Sequence, residues 1–178
     1  KRTAKAIPEA REAVRDVTLA KGADHRFMAE AVALGDEARG SSAPNPNVGC
    51  VIASPAGKIV GKGATAAGGR PHAEQVALKQ AGKRANGATV YVTLEPCAHD
   101  SPRGPACTDL LLQAKPARVV MAMKDPDPRT TGKGIRRLRA AGIDVKVGVG
   151  REEAKRSLAG WLTKLELGRP RITLKLAL

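Results

Sequence analysis

Two short segments, ATVYVTL at 88–94 and ARVVMAM at 117–123, are apolar almost without interruption. A strand covered on one face alternates apolar with polar residues, so these runs read as strands buried on both faces. Such a sheet needs helices on each side, and the rest of the chain offers them. Asp24 is placed to N-cap the segment HRFMAEAVALGDEAR, in which Phe27, Ala31 and Leu34 recur at helical spacing. GSSAPNPN reads as a loop from its Pro, Asn and Ser content. VGCVIAS and KIVGKGAT flank the turn PAG and read as a hairpin. Further helices are expected from about Pro71 to Lys83, from about Ala106 to Ala114, and in GKGIRRLRAAG, with Gly142 as its stop. IDVKVGV supplies another strand. Strands alternating with helices after an opening hairpin predict an α/β fold, a three-layer α/β/α sandwich around a mixed, mainly five-stranded sheet.

A length of 178 residues fits one ordinary domain with some excess at its ends. Residues 1–23, Ala-rich and charged, form an N-terminal extension that is either a helix or a loose segment. Residues 24–150 hold the alternating elements. Residues 151–178 give one helix, a Gly-Arg-Pro break and the apolar strand RITLKLAL. A strand arriving last must join an edge of the sheet, remain unpaired, or begin a further domain.

Composition narrows the setting. No run of about 20 apolar residues is present, so no membrane span is expected. The charged N-terminus lacks the apolar stretch of a secretory signal. Three cysteines make an odd count, with Cys50 in an apolar run that suits a small core residue. A disulfide framework is not expected, and a cytoplasmic location is. The net charge of +14 is spread along the chain with no block of five or six consecutive basic residues. Nucleic-acid binding is not favoured, because single-strand binders stack bases on aromatics and only Phe27, Tyr91 and Trp161 are available.

Against that scarcity, the stretch 68–107 holds two of the three histidines and two of the three cysteines. His72 and Glu74 lie near a helix start, with Pro71 suited to its first turn. In mid-helix residues two apart diverge, but at a helix end both can reach over the rim toward one point. Cys97 follows a buried strand where it leaves the sheet, and Cys107 lies near the start of the next helix, where a thiolate is favoured. One His and two Cys make a three-ligand zinc site with an open fourth position. Water placed there is acidified by the metal, and Glu74 can carry protons. The zinc deaminases use this arrangement, with an H-x-E motif followed by two cysteines. A structural zinc would need a fourth protein ligand, for which His99 is the nearby candidate.

In order, the motifs APNPNVGCVI, GGRPHAE, GATVYVTLEPCAH, KDPDP and GKGIRRLRAAGIDV give the chain its resemblance to a known family. From about His25 to Gly148 it resembles the deaminase domain of the bifunctional riboflavin-biosynthesis deaminase/reductase, within the cytidine-deaminase-like superfamily. The resemblance implies hydrolytic deamination of 2,5-diamino-6-(5-phosphoribosylamino)pyrimidin-4-one, a phosphorylated pyrimidine. By position, His72, Cys97 and Cys107 would hold one zinc ion and Glu74 would shuttle protons. Asn45 would contact the pyrimidine ring, Arg103 the phosphate, and Asp125 and Asp127 the ribose side. Each of these four also suits a plainer role, as a turn residue or a solvated loop cation. RPRITLKLAL is similar to the opening of the family's reductase domain, so the NADP of that reaction is not expected on this chain. Related deaminase domains associate, which makes a homo-oligomer an open expectation.

The sequence departs from the family in four places. Nine residues separate Cys97 from Cys107, one more than usual; Thr65 replaces a common His; Asp127 replaces a usual Asn; and residues 1–23 match nothing in it. Two other readings stay open. A nucleic-acid base deaminase of the same fold suits the charge but not the Cys spacing or the lack of aromatics. A catalytically silent fragment would keep zinc only to hold its fold.

Overall fold

The computed structural model describes residues 6–99 and 101–176, with side chains described from Gly22 onward. A long helix α1 (Ala6–Glu37) precedes the hairpin of β1 (Gly49–Ala53) and β2 (Ile59–Ala64). Then come α2 (Ala73–Ala81), β3 (Thr89–Val92), α3 (Cys107–Ala114), β4 (Arg118–Met121), α4 (Lys133–Ala140) and β5 (Asp144–Val147), followed by α5 (Arg151–Ser157) and α6 (Ala159–Leu167). The five strands form one sheet in the order β2-β1-β3-β4-β5. β1 is antiparallel to both β2 and β3, whereas β3, β4 and β5 run parallel. This is the mixed five-stranded sheet expected from the sequence.

Both faces of the central strands are covered, as their continuous apolar runs require. On one face Ile52, Val90, Val92, Val119 and Met121 pack with Ala77 of α2, Leu111 of α3 and Leu138 of α4. On the other, Val51, Tyr91 and Val120 meet Phe27, Met28 and Ala31 of α1 and Ala154 of α5. Phe27 and Tyr91 pack ring to ring with centroids 5.1 Å apart. Helix α2 lies unusually close to the sheet, because its facing strand carries Gly61 and Gly63. A Cβ on either would stand 2.3 Å from a backbone oxygen of α2, that of Ala77 or of Ala73.

Asp24 is not the N-cap expected of it. It lies inside α1, which starts at Ala6 and runs unbroken across the expected helix start. Its side chain is 1% exposed and accepts from Arg118 Nη1 (2.8 Å) and Nη2 (3.1 Å), from Lys146 Nζ (2.8 Å) and from the Tyr91 hydroxyl (3.2 Å). An aspartate with three such partners has no need of a helix end to satisfy it. The C-terminal segment also differs from expectation. It forms two helices instead of one, parting at Leu158, and residues 171–176 form no strand. That stretch leaves Ile172 87% and Leu174 79% exposed, its backbone pairing with no edge of the sheet. Residues 177 and 178 of the expected strand lie outside the described residues. Among the described residues no helix is long and apolar enough to cross a membrane.

Burial alone would raise the pKa of Asp24, but hydrogen bonds from Arg118 and Lys146 outweigh it and hold the carboxyl below its ordinary value. Its contribution to stability is therefore present above the unfolded-state value of about 3.9 and is lost as pH falls through the lower folded value. Asp24→Ala should cost about 2–3 kcal/mol in urea unfolding at neutral pH, below the range for a fully buried pair because Lys146 is partly solvated. The gap between the two proteins should close in acid, below about pH 4.

Candidate active site

The sheet changes from antiparallel to parallel at β3, and the segment leaving that strand opens the site. After Val92 the chain runs through Thr93, Leu94, Glu95 and Pro96 to Cys97. Helix α3 then begins at Cys107, whose backbone N–H points to Cys97 Sγ at 3.2 Å. Thr108 ties the two cysteine segments together, its hydroxyl donating to the Cys97 carbonyl at 2.9 Å and its backbone N–H reaching the same oxygen at 3.1 Å. The third segment arrives with α2. The helix starts two residues later than Pro71, with His72 as its N-cap, and the Gln75 side chain accepts the His72 backbone N–H at 3.0 Å. His72 thus sits just outside the helix and Glu74 in its first turn, so both face the mouth of the fold.

These segments bring His72 Nδ1 to 3.3 Å from Cys107 Sγ and 3.7 Å from Cys97 Sγ. All three ligand atoms lie within 4.8 Å of one another. Around a tetrahedral zinc, the usual Zn–S and Zn–N lengths put ligand atoms about 3.5–3.8 Å apart, close to the two His–Cys separations found here. The donor chemistry fits as well. The Cys97 thiol is pulled down by hydrogen bonding from Cys107, while that same contact and burial push Cys107 up. A divalent cation favours the thiolate form of both cysteines and displaces thiol protons on binding. Asn45 Nδ2 donates to the Gly69 carbonyl at 2.8 Å and lies 3.0 Å from His72 Nε2, so its amide packs against the edge of the ring away from the sulfurs. His99 is not part of the group; its Nδ1 pairs with Thr130 Oγ1 at 3.2 Å.

The triad's His72 and Cys97 open on a cavity of about 350 Å³ that Glu74 also lines. Glu74 is 4% exposed, and burial first, then the nearby Cys97, raises its pKa, with His72 opposing. Asn45, Arg103, Asp125 and Asp127 all line the same cavity. Asp125 is 9% exposed and burial pushes its carboxyl up to about 6. Arg103 does more than present a charge, since its two terminal nitrogens donate to the Gly68 carbonyl (3.1 Å) and Asn45 Oδ1 (3.2 Å). Thr65 lies in the lining too, its hydroxyl accepting the Val48 N–H at 3.1 Å.

Sequence reasoning missed two contributors. Glu95, 2% exposed, accepts backbone N–H groups from Gly132 (3.0 Å), Ile135 (3.3 Å) and Asp125 (3.4 Å). It caps α4 and fixes the loop carrying Asp125 and Asp127; its place within TLEPC was the available signal. Trp161 and Leu165 of α6 supply an apolar wall, for which the sequence offered only the singular tryptophan.

With this geometry in place, comparisons with known proteins point one way. The family profile of the cytidine and deoxycytidylate deaminase zinc-binding region matches residues 21–123. The riboflavin biosynthesis protein RibD of Escherichia coli is 49% identical over 153 residues, which cover 86% of this chain and 41% of that protein. The solved structure of Acinetobacter baumannii RibD matches with a TM-score of 0.79 at 43% identity, over 84% of this chain and 42% of the other. A diaminohydroxyphosphoribosylaminopyrimidine deaminase/5-amino-6-(5-phosphoribosylamino)uracil reductase from Thermotoga maritima matches equally well, at 37% identity, over 84% of this chain and 43% of that one. The chain spans about two fifths of the length of these relatives.

Replacing Cys107 by Ser would remove one of the three candidate ligands. The variant should give up zinc at chelator concentrations the parent withstands, as measured by metal analysis after dialysis; unchanged metal content would exclude Cys107 from the ligand set.

Proposed function

Because the chain belongs to the cytidine and deoxycytidylate deaminase zinc-binding family, we propose that it is the zinc-dependent deaminase part of a riboflavin-biosynthesis protein. Its substrate in this reading is 2,5-diamino-6-(5-phosphoribosylamino)pyrimidin-4-one, which it converts with water to 5-amino-6-(5-phosphoribosylamino)uracil and ammonia. The observation that carries the proposal is the grouping of His72, Cys97 and Cys107 beside buried Glu74 in one cavity. The similarity to the RibD proteins supports the choice of substrate. The deaminase unit holds residues 24–150 together with α5 and α6, since Ala154 packs in the core and Trp161 lines the cavity.

His72, Cys97 and Cys107 hold the zinc. When bound there, the ion supplies Lewis-acid activation of water at neutral pH. Glu74 does the proton work: its carboxylate takes a proton from the attacking water and delivers it to the departing amino nitrogen. Burial raises its pKa, which favours the protonated form that must deliver a proton to the leaving nitrogen. The ring enters along the apolar wall of Trp161 and Leu165. Asn45, fixed by Gly69 and Arg103, faces the ring. In this reading Arg103 adds positive charge beside Asn45, and Asp125 lies toward the ribose side of the cavity.

Ammonia release from this substrate on zinc-loaded protein tests the reading. Glu74→Gln should keep one zinc per chain and lose turnover by about 10²–10⁴-fold. Substantial turnover in that variant would remove Glu74 from the proton-transfer role, and a zinc-loaded parent that releases no ammonia would remove the substrate.

A further inference from the structure

The three arginines of the cavity, Arg70, Arg103 and Arg129, are not equivalent. Arg103 ties Gly68 and Asn45 to the loop between the cysteines. Arg70 Nη1 donates to the Pro105 carbonyl at 3.3 Å, while its Nε is buried without a partner. Both act first as braces of that loop. Arg129 instead grips one neighbour two residues away. Its backbone N–H and Nε reach Asp127 Oδ1 at 2.8 and 3.0 Å, and its Nε and Nη2 reach Oδ2 at 3.0 and 2.6 Å. Nη1 has no acceptor among the described residues.

The fork changes what Asp127 can do. Both of its oxygens are engaged by Arg129, and its charge is answered within the loop. Three N–H groups of Arg129 take up three of the roughly four acceptor positions of that carboxylate, which leaves little for a ribose hydroxyl. Depth separates the charges further. Cys97, Cys107 and Glu74 are buried, whereas the Arg129 side chain is 68% exposed. A ligand with a neutral ring and a dianionic phosphate is therefore drawn in ring first, its phosphate left at the cationic mouth.

We propose that Arg129, oriented by Asp127, selects for a phosphorylated substrate by offering the outer edge of its guanidinium to a phosphate oxygen at the cavity mouth. Asp127 is then a positioning residue and not a ribose contact. This rests on the reading above that the substrate is a ribosyl phosphate. It also gives the acidic residue a place beside a phosphate, where alone it would repel.

The test compares the phosphorylated substrate with the same compound after phosphatase treatment, on zinc-loaded full chain. Arg129→Ala should raise KM for the phosphorylated compound about 10- to 100-fold with kcat little changed, and leave the dephosphorylated compound unaffected. Asp127→Asn should shift KM in the same direction by less, and Arg129→Lys should recover part of the loss. Equal effects on both compounds, or none, overturn the proposal. If the parent turns over neither compound, Trp161 emission decides, because the chain's one tryptophan lines this cavity. Saturable binding of ribose 5-phosphate that weakens in Arg129→Ala would uphold the proposal while sinking the reaction. Equal affinity in both proteins, or no binding to the parent, would sink the proposal too.

Discussion

Helix α2 approaches β2 closely enough for a Cβ at Gly63 to stand 2.3 Å from the Ala73 carbonyl oxygen, and the site depends on that approach. Three segments distant in sequence must deliver three ligand atoms to a space of a few ångströms. Two of them, around Cys97 and Cys107, are sewn together by Thr108 and the Cys107 N–H. The third comes only as near as α2 allows. Glycines on the strand and alanines on the helix, Ala73, Ala77 and Ala81, remove the side chains that would hold it off. With a bulkier pair the helix would ride outward and carry His72 and Glu74 away from the sulfurs together. Close packing of small residues is thus what converts two weak motifs into one cluster.

Glu95 performs the complementary task on the far side of the cavity. A buried carboxylate costs much unless its lone pairs are met, and here three backbone N–H groups meet them. The Asp125–Gly132 loop is held at both ends as a result, so Asp125 and the Asp127–Arg129 fork face the cavity from fixed positions. The cavity has an acidic, sulfur-lined floor and an arginine-bearing mouth, and each part is braced by a different set of backbone contacts.

Much of this was legible in the sequence because its cause was local. The apolar runs at 88–94 and 117–123 could only be strands covered on both faces, and the hairpin announced itself through PAG. The His-x-Glu pair and the cysteines gave the metal group through the rarity of those residues. What escaped was fixed at long range. Asp24 resembled an N-cap, since its partners Arg118 and Lys146 lie 94 and 122 positions away. Glu95 showed no sign that it would cap a helix 40 residues later. His72 replaced Pro71 at the helix boundary because its ring faces Cys107 and Asn45, both outside the helix. The apolar tail had the composition of a strand, yet composition alone provides no neighbour to pair with.

The cluster around Asp24 has a further consequence, concerning alignment more than strength. Arg118 begins β4 and Lys146 lies within β5, paired opposite Val120. In a strand, side chains alternate between faces, so a slip of one residue would turn either cation to the opposite side of the sheet. The apolar residues of β5, Val145 and Val147, would tolerate such a slip poorly; the carboxylate of α1 would not tolerate it at all, being left in the core with too few partners. One aspartate in the first helix thereby checks the pairing of the last two strands, and the chain has a single alignment in which both its oily and its charged contacts are met.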